Sequence, residues 1–201
     1  MNKKRKIFLS FRSEFFRPIL YDIKKYEYRK RFCDEPTTAY LYLSSPVREV
    51  IGIMELGKAL HMDEIVSNYS KDSDVYSRII KCLESGEKFA ILIESFQLFK
   101  NPVPIEKIKE IKNDFSVPRC YLNLENYECV LDYLESQPMF DIEFYNKHDI
   151  IYESNLAMTC KEMELTNEFI SKDGKYLSDK KYDIVKCGYI NKKNEKMYII
   201  D

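Results

Sequence analysis

Short apolar runs alternate with amphipathic stretches along the first two thirds of the chain, and this pattern predicts interleaved strands and helices. Apolar or alternating runs are typical of strands, whereas a helical period of apolar residues is typical of amphipathic helices. Strands are predicted at residues 7–10, 39–44, 49–56, 88–99 and 121–124, with a strand edge at Tyr26 and Tyr28. Helices are predicted at 13–21, 62–69, 73–86, after Pro104, and at 126–135.

Proline, glycine and serine positions refine these boundaries. Pro18 has no amide hydrogen to donate inside a helix, and a start near Arg17 would place it in the first turn. Gly52 lies within a predicted strand, which indicates a bulge or the close approach of another backbone. Ser73 is a typical N-cap and Gly86 a typical helix end, so a helix is predicted between them.

Strand 39–44 is apolar on both faces, as expected for a barrel wall that a helix covers on the outside. The pattern changes near residue 136, where Pro138 follows the last regular helix. We therefore predict one domain over residues 1–136 and a C-terminal extension over 137–201. The end of that extension, 182–201, predicts a β-hairpin with a polar turn at 191–195.

Composition indicates a folded protein in a reducing compartment. Hydrophobic residues are 45% and charged residues 32% of the chain, which favours a globular class over a disordered one. No apolar run is long enough to cross a membrane. The basic stretch 3–6 precedes only the short apolar stretch 7–9, which is too brief for a signal peptide, so a cytoplasmic location is expected.

Cysteine and histidine spacing gives no support for a metal site or a cofactor. The six cysteines form no Cys-x-x-Cys pair, and His61 and His148 have no ligand spacing between them. Reduced, mostly buried thiols are the simplest interpretation. Glycine-rich phosphate-binding motifs are absent from the sequence, so neither a dinucleotide nor a P-loop site is predicted.

Charge is distributed unevenly along the chain. The net charge is only −1, but residues 1–31 hold eleven basic and three acidic residues, a local charge of +8. Such asymmetry can place a basic face on a nearly neutral protein, which favours a nucleic-acid partner. The alternative is a basic N-terminal arm that has no partner.

Five segments in order resemble the ASCH family. They are 8–14 (FLSFRSE), 24–31 (KKYEYRKR), 41–52 (LYLSSPVREVIG), 99–104 (FKNPVP) and 117–122 (VPRCYL). Asp22 stands where that family has a glycine. The resemblance covers about residues 7–135 and implies an α+β fold: a PUA-like mixed β-barrel with peripheral helices, here followed by the small C-terminal extension. It also implies a cleft for RNA or a modified nucleotide.

The same resemblance raises the question of catalysis. Some small ASCH proteins are amidohydrolases that deacylate N4-acetylcytidine with a lysine, a threonine and a glutamate. Their lysine corresponds to Lys24, which is our one candidate catalytic residue, whereas the threonine position is occupied by Glu27. The remaining glutamate has no assigned counterpart in the sequence.

Candidate binding residues are those that can contact phosphate or a base. Arginine offers a planar fork for phosphate, lysine a mobile charge, and tyrosine a ring for stacking. The candidates are Arg12, Lys24, Glu27, Arg29, Arg31, Ser44, Ser45, Arg119 and Tyr121. The alternatives are a solvated charge run for the basic residues, an ion-pairing role for Glu27, ordinary turn chemistry for the serines, and a buried ring for Tyr121.

Three functions remain open from the sequence. The first is a module that binds RNA or a nucleotide at a basic cleft. The second is an amidohydrolase acting on an N4-acylated cytidine or a related modified nucleoside. The third is a regulatory protein-interaction module that uses the C-terminal part.

Overall fold

A computed structural model of the chain describes residues 4–12, 15–145, 155–176, 188–190 and 196–198. The strands are β1 Arg5–Phe11, β2 Tyr26–Arg29, β3 Thr37–Leu43, β4 Glu49–His61, β5 Phe89–Pro104, β6 Tyr121–Asn123, β7 Met139–Tyr145, β8 Gly188–Ile190 and β9 Lys196–Tyr198. The α-helices are α1 Phe16–Leu20, α2 Met62–Ile65, α3 Asp74–Ser85, α4 Ile105–Ile111, α5 Glu128–Glu135, α6 Cys160–Glu164 and α7 Asn167–Tyr176. Single 3-10 turns follow α2 and precede α5.

Seven strands form one mixed sheet that curls into a half-barrel, with helices at its periphery. The strand order is β2-β5-β4-β3-β1-β6, and β7 also pairs with β5. Strands β1 and β3 run parallel, and the remaining pairs in this sheet are antiparallel. The long β5 carries β2 along its first residues and β7 further on, both on the side away from β4. This arrangement confirms the predicted α+β fold class.

Strand β3 is buried on both faces because it separates two hydrophobic cores. Ala39, Leu41 and Leu43 point into the core inside the curled sheet. Tyr40 and Tyr42 point the other way, into a core that α4 and α5 cover. The prediction of a barrel wall with a helix outside it is therefore confirmed, and the alternation follows from the two-residue period of a strand.

The local signals of the sequence are confirmed at three positions. A Cβ atom on Gly52 would lie 2.1 Å from the carbonyl oxygen of Gln97, so the neighbouring strand leaves no room for a side chain, and the pairing register shifts beside it. The Ser73 hydroxyl accepts a hydrogen bond from the Tyr76 amide at 3.2 Å and caps α3. Gly86 ends that helix with a φ of 88°, which glycine adopts without strain.

Residues after 136 add to the same sheet and the same core. Strand β7 pairs with β5, and Met163 of α6 and Phe169 of α7 are buried in the core inside the curled sheet. Strands β8 and β9 pair antiparallel, whereas the rest of the predicted hairpin segment 182–201 lies outside the described residues. The division of the chain near residue 136 remains a prediction.

Candidate functional site

Two neighbouring cavities lie beside β2. The first, which we call the outer cleft, has a volume of about 550 Å³ and is lined by Arg12, Arg29 and Arg119 together with Ser10 and Ser44. The second, the inner cavity, has a volume of about 280 Å³, and residues 157–161 form part of its lining with Lys24 and Cys82. Both are also lined by Phe15, Glu27, Tyr28 and Glu87, so the two cavities adjoin.

The outer cleft forms where two parallel strands end. Strands β1 and β3 end side by side, with Phe11 opposite Leu43, and so the next residues, Arg12 and Ser44, emerge at the same edge of the sheet. The loop that carries Arg119 is fastened there by Ser10. The Ser10 amide donates to the carbonyl of Cys120 at 2.9 Å, and its hydroxyl donates to that of Pro118 at 2.7 Å.

A third arginine of the outer cleft is held in place by one hydrogen bond and one ion pair. The side chain of Arg29, at the end of β2, donates through Nη2 to the Ser10 carbonyl at 3.0 Å. Its Nε lies 2.9 Å from Oε1 of Glu27. Because only 13% of this side chain is exposed, Arg29 presents its charge from a fixed position.

Glu27 joins the two cavities through a second ion pair. Its Oε2 lies 3.3 Å from the Lys24 Nζ, and 6% of the lysine side chain and 8% of the glutamate side chain are exposed. One buried carboxylate therefore lies between two cations, and each cation lines a different cavity. A charge out of water is costly unless it is paired, so this contact keeps both cations compatible with burial.

The turn after α1 positions Lys24. The carbonyl of Pro18 accepts hydrogen bonds from the amides of Ile23 and Lys24, both at 2.9 Å. Asp22 adopts a left-handed φ of 57°, a conformation that aspartate tolerates better than most residues. Asp22 thus adopts the left-handed conformation that a glycine would also allow at this turn. Its carboxylate pairs with the buried Lys25.

Tyr28 connects the lysine to the wall of the inner cavity. The Lys24 Nζ lies 5.1 Å from the centre of the Tyr28 ring, which is within the range of a cation–π contact. The Tyr28 hydroxyl accepts a hydrogen bond from the Ala157 amide at 2.6 Å. Burial raises the pKa of Tyr28 well above its ordinary value, so the hydroxyl stays protonated.

The thiol in the inner cavity is held in its neutral form. Burial, and then the neighbouring Glu87, raise the pKa of Cys82 to about 12. A thiolate is the reactive form of cysteine, so this thiol is poorly suited to nucleophilic attack at neutral pH.

The structure brings most of the predicted site residues together. Of the nine, five line the outer cleft: Arg12, Glu27, Arg29, Ser44 and Arg119. Lys24 lines the inner cavity, which it shares with Glu27.

The other three predicted residues lie elsewhere. Arg31 and Ser45 are exposed, and neither lines the two cavities. Tyr121 is half-buried and pairs with Leu9 in the sheet, and its ring packs against Phe32 with 5.3 Å between centroids. The Tyr121 ring thus already makes an edge-to-face contact within the protein.

Several lining residues were missed by sequence reasoning. Glu87 directly follows the Gly86 that ends α3, and the Lys88 amide donates to the Arg29 carbonyl at 3.0 Å, which brings Glu87 beside the end of β2. Because Glu87 lies in the turn between a helix and a long strand, the sequence could have indicated it as a candidate site residue. Residues 157–161 carry no such signal, because no sequence pattern brings them to β2.

Within the described ranges, no group of three or more histidine, cysteine, aspartate or glutamate side chains is arranged to hold a metal ion. None of the helices described here combines the length and the apolar character that crossing a membrane requires.

Comparison with known proteins identifies the fold. No protein-family model matches the chain, and no curated protein matches it either. Among solved structures, a mutant of ZmASCH from Zymomonas mobilis aligns with a TM-score of 0.51 and 22% identity, over 68% of this chain and 99% of that one. The ASCH structure from the same organism aligns with a TM-score of 0.49 and 21% identity, over 67% and 97% of the two chains. The curled mixed sheet with peripheral helices described above is therefore an ASCH-type fold.

Proposed function

We propose that this chain binds RNA or a nucleotide, with phosphate in the outer cleft and one base in the inner cavity. The observation that carries this proposal is the convergence of Arg12, Arg29 and Arg119 on one cleft that adjoins a second cavity. Guanidinium groups match phosphate oxygens with paired hydrogen bonds. The nearly neutral net charge of the chain does not oppose this function, since the relevant charge is local and the three arginines of the outer cleft outnumber its two carboxylates, Glu27 and Glu87.

The three arginines differ in their freedom to adapt. Arg29 is fixed by Glu27 and by the Ser10 carbonyl, so a phosphate that it contacts would be bound without further ordering of that side chain. Arg12 and Arg119 are exposed residues that line the cleft and can adjust to the ligand, and the Arg12 guanidinium lies 5.6 Å from the centre of the Phe15 ring. This combination suits a backbone phosphate whose exact position varies with the ligand.

Aromatic side chains lie where the two cavities meet. Phe15 and Tyr28 line both, and a base entering from the outer cleft would pass them. Stacking on such rings is the common way in which proteins hold unpaired bases. Lys24, which lines the inner cavity, adds a donor, and Glu87, which lines both cavities, adds an acceptor; the two can meet the polar edge of a base.

The test is a fluorescence anisotropy titration of a short labelled single-stranded RNA at two salt concentrations. Wild type is expected to bind in a salt-sensitive way. Arg12→Ala/Arg119→Ala should weaken binding and lower the salt slope by roughly one to two, because each lost phosphate contact removes about one unit or slightly less. Competition with unlabelled cytidine 5′-monophosphate separates a nucleotide site from one that requires a chain.

The matched control is Lys58→Ala/Lys100→Ala, which removes the same charge from exposed positions outside both cavities. Affinity and salt slope are expected to stay near the wild-type values in this variant. Equal weakening by both double variants would contradict binding in the outer cleft, because only the total charge of the chain would then matter.

A second candidate function is hydrolysis of an N4-acylated cytidine. The specific observation in its favour is that Lys24, Glu27 and Glu87 line one small cavity. The Lys24 ammonium would donate a hydrogen bond to the acyl oxygen, and the Glu87 carboxylate would take a proton from the attacking water. The acyl group would leave as a carboxylic acid, and the proton would pass to the departing amine of cytidine.

Release of cytidine from N4-acetylcytidine, followed by chromatography, tests this candidate. If the reaction occurs, Lys24→Met and Glu87→Gln should each abolish it, whereas Cys82→Ala should leave most of the rate. No cytidine released by wild type would leave binding alone as the proposed function.

A further inference from the structure

A segment from the C-terminal part of the chain completes the inner cavity. Met158, Thr159, Cys160 and Lys161 line it, and the residue before them, Ala157, also contributes to the lining. This wall segment, residues 155–161, is more than a hundred residues away in the sequence from the opposite wall on β2. The inner cavity therefore exists only when the wall segment is in place.

The wall segment is fastened to α3 and β2 by its backbone. The Arg78 Nε donates to the Leu156 carbonyl at 3.0 Å, and the Tyr28 hydroxyl accepts from the Ala157 amide at 2.6 Å. Leu156 is fully buried and Ala157 is 3% exposed, and both pack in a hydrophobic cluster that includes Cys82. Side-chain donors and acceptors from two elements thus fix the path of this backbone.

A capping box fixes the other end of the wall segment. The Thr159 hydroxyl accepts from the Glu162 amide at 3.2 Å, and the Glu162 carboxylate accepts from the Thr159 amide at 2.8 Å. These contacts start α6 at Cys160, and Met163 anchors that helix in the core inside the curled sheet. The segment is thus held on both sides of the residues that line the cavity.

We propose that the wall segment determines which ligands the inner cavity accepts, by admitting one base-sized group and excluding a base that carries a bulky substituent. The identity of the ligand as a nucleotide rests on the proposed function. The role of the wall rests on the contacts of Tyr28 and Arg78. Tyr28 is central because its ring contacts the Lys24 ammonium and its hydroxyl holds the wall.

Tyr28→Phe separates these two roles. The phenylalanine keeps a ring beside Lys24 but leaves the Ala157 amide without its acceptor, and an unpaired buried amide favours opening of the segment. Arg78→Met removes the second fastening without touching either cavity and serves as an independent variant. Tyr133→Phe, on α5 at the other core, is the matched control.

The first readout needs no ligand. Cys82 lines the inner cavity, and its Sγ lies 3.9 Å from the carbonyl oxygen of Ala157 in the wall segment. An increase over wild type in its rate of alkylation by iodoacetamide, followed by peptide mass spectrometry, therefore reports opening of the segment. Arg78→Met should speed this reaction by about threefold to tenfold, as the loss of one hydrogen bond would predict, and Tyr28→Phe by at least as much, since its hydroxyl also donates to the Asn155 carbonyl at 3.4 Å. The exposed Cys129 is the internal reference, and Tyr133→Phe should match wild type.

The second readout is selectivity between cytidine 5′-monophosphate and its N4-benzoyl derivative. Wild type should prefer the unsubstituted nucleotide, and both wall variants should reduce that preference several-fold. If wild type binds neither nucleotide but binds the labelled RNA, the site requires a chain; if it binds none of the three, the proposed function is wrong. In both cases the alkylation rates still decide whether the segment is a wall. Unchanged Cys82 alkylation in both folded variants, or unchanged selectivity despite faster alkylation, would overturn this inference.

Discussion

The outer cleft and the inner cavity share Glu27 and Tyr28 but hold their charges in opposite ways. At the outer cleft, the lining residues Arg12 and Arg119 are exposed. At the inner cavity, Lys24 is 5% exposed and its ammonium pairs with Glu27. Exposed charges are solvated and can form ion pairs with a ligand, whereas buried charges destabilise the fold unless they pair with one another.

This difference separates binding from stability. Substitutions at the mouth of the outer cleft should change affinity for an anionic ligand and leave folding nearly unaffected. Substitutions in the buried pair should change folding first, because they leave a charge without its partner. Arg29 belongs to both regions, since it lines the outer cleft and pairs with Glu27.

The largest expected effect comes from Glu27→Ala. This change leaves the buried Lys24 and the partly buried Arg29 without their shared carboxylate, and breaking such a buried pair costs about 3–5 kcal/mol of unfolding free energy. Urea denaturation followed by circular dichroism measures the loss.

The control is Glu94→Ala, because 45% of the Glu94 side chain is exposed and its Oε2 lies 3.7 Å from the Lys4 Nζ. An exposed pair contributes about 1 kcal/mol or less, so this variant should stay close to wild type. Similar losses of unfolding free energy in the two variants would mean that the buried ion pair stabilises the fold no more than the exposed one does.

A smaller loss of stability is expected at alkaline pH, where the Cys82 thiol of the inner cavity ionises and the arginines of the outer cleft stay charged. The folded state raises the pKa of the Cys82 thiol from 9.0 to about 12, so above pH 9 the unfolded chain releases this proton first. Stability from this group is therefore complete below pH 9 and is lost as pH rises toward 12. Between pH 9 and 10 the loss should be about 1 kcal/mol.

Thermal unfolding at pH 8, 9 and 10 checks this expectation with Cys82→Ala as the comparison. Tyrosines such as Tyr28 have an ordinary pKa of 10.0 and begin to contribute only at the top of this range. The variant should thus show a shallower fall in melting temperature between pH 9 and 10. Parallel slopes in the two proteins would show that the thiol ionises equally in the folded and unfolded states.

The smallest effect is expected at Arg31, which the sequence predicts for the binding surface but which lines neither cavity in the structure. Arg31→Ala should weaken RNA binding less than Arg119→Ala, and its salt slope should fall by less than about one unit. Both single variants are measured by anisotropy at the same two salt concentrations. A larger loss at Arg31 would extend the binding surface beyond the outer cleft.

The fold was more accessible from the sequence than the site was. Gly52, Ser73 and Gly86 have local chemistry that determines their roles, and strand 39–44 showed its two buried faces in its composition. Each of these features depends on neighbours along the chain or on a strand's simple period. Such signals need no knowledge of the tertiary structure.

The site depends on contacts between distant segments. Arg12, Arg29 and Arg119 meet because β1 and β3 run parallel and because Ser10 holds both the loop of Arg119 and the Arg29 side chain. The family resemblance, more than any pattern, placed these residues among the candidates. The wall segment had neither a family resemblance nor a sequence pattern from which its place in the site could be predicted. The Tyr121 ring packs against Phe32, a contact between distant segments that the sequence did not indicate.

The most direct test of the central claim is photo-crosslinking of a short RNA that carries a single 4-thiouridine, with the crosslinked peptides mapped by mass spectrometry. We expect crosslinks in the peptides that hold Phe15, Tyr28 or Arg119, and we expect Arg12→Ala/Arg119→Ala to abolish most of them. Crosslinks confined to peptides outside both cavities, or crosslinks that this double variant leaves unchanged, would contradict binding at the outer cleft and inner cavity.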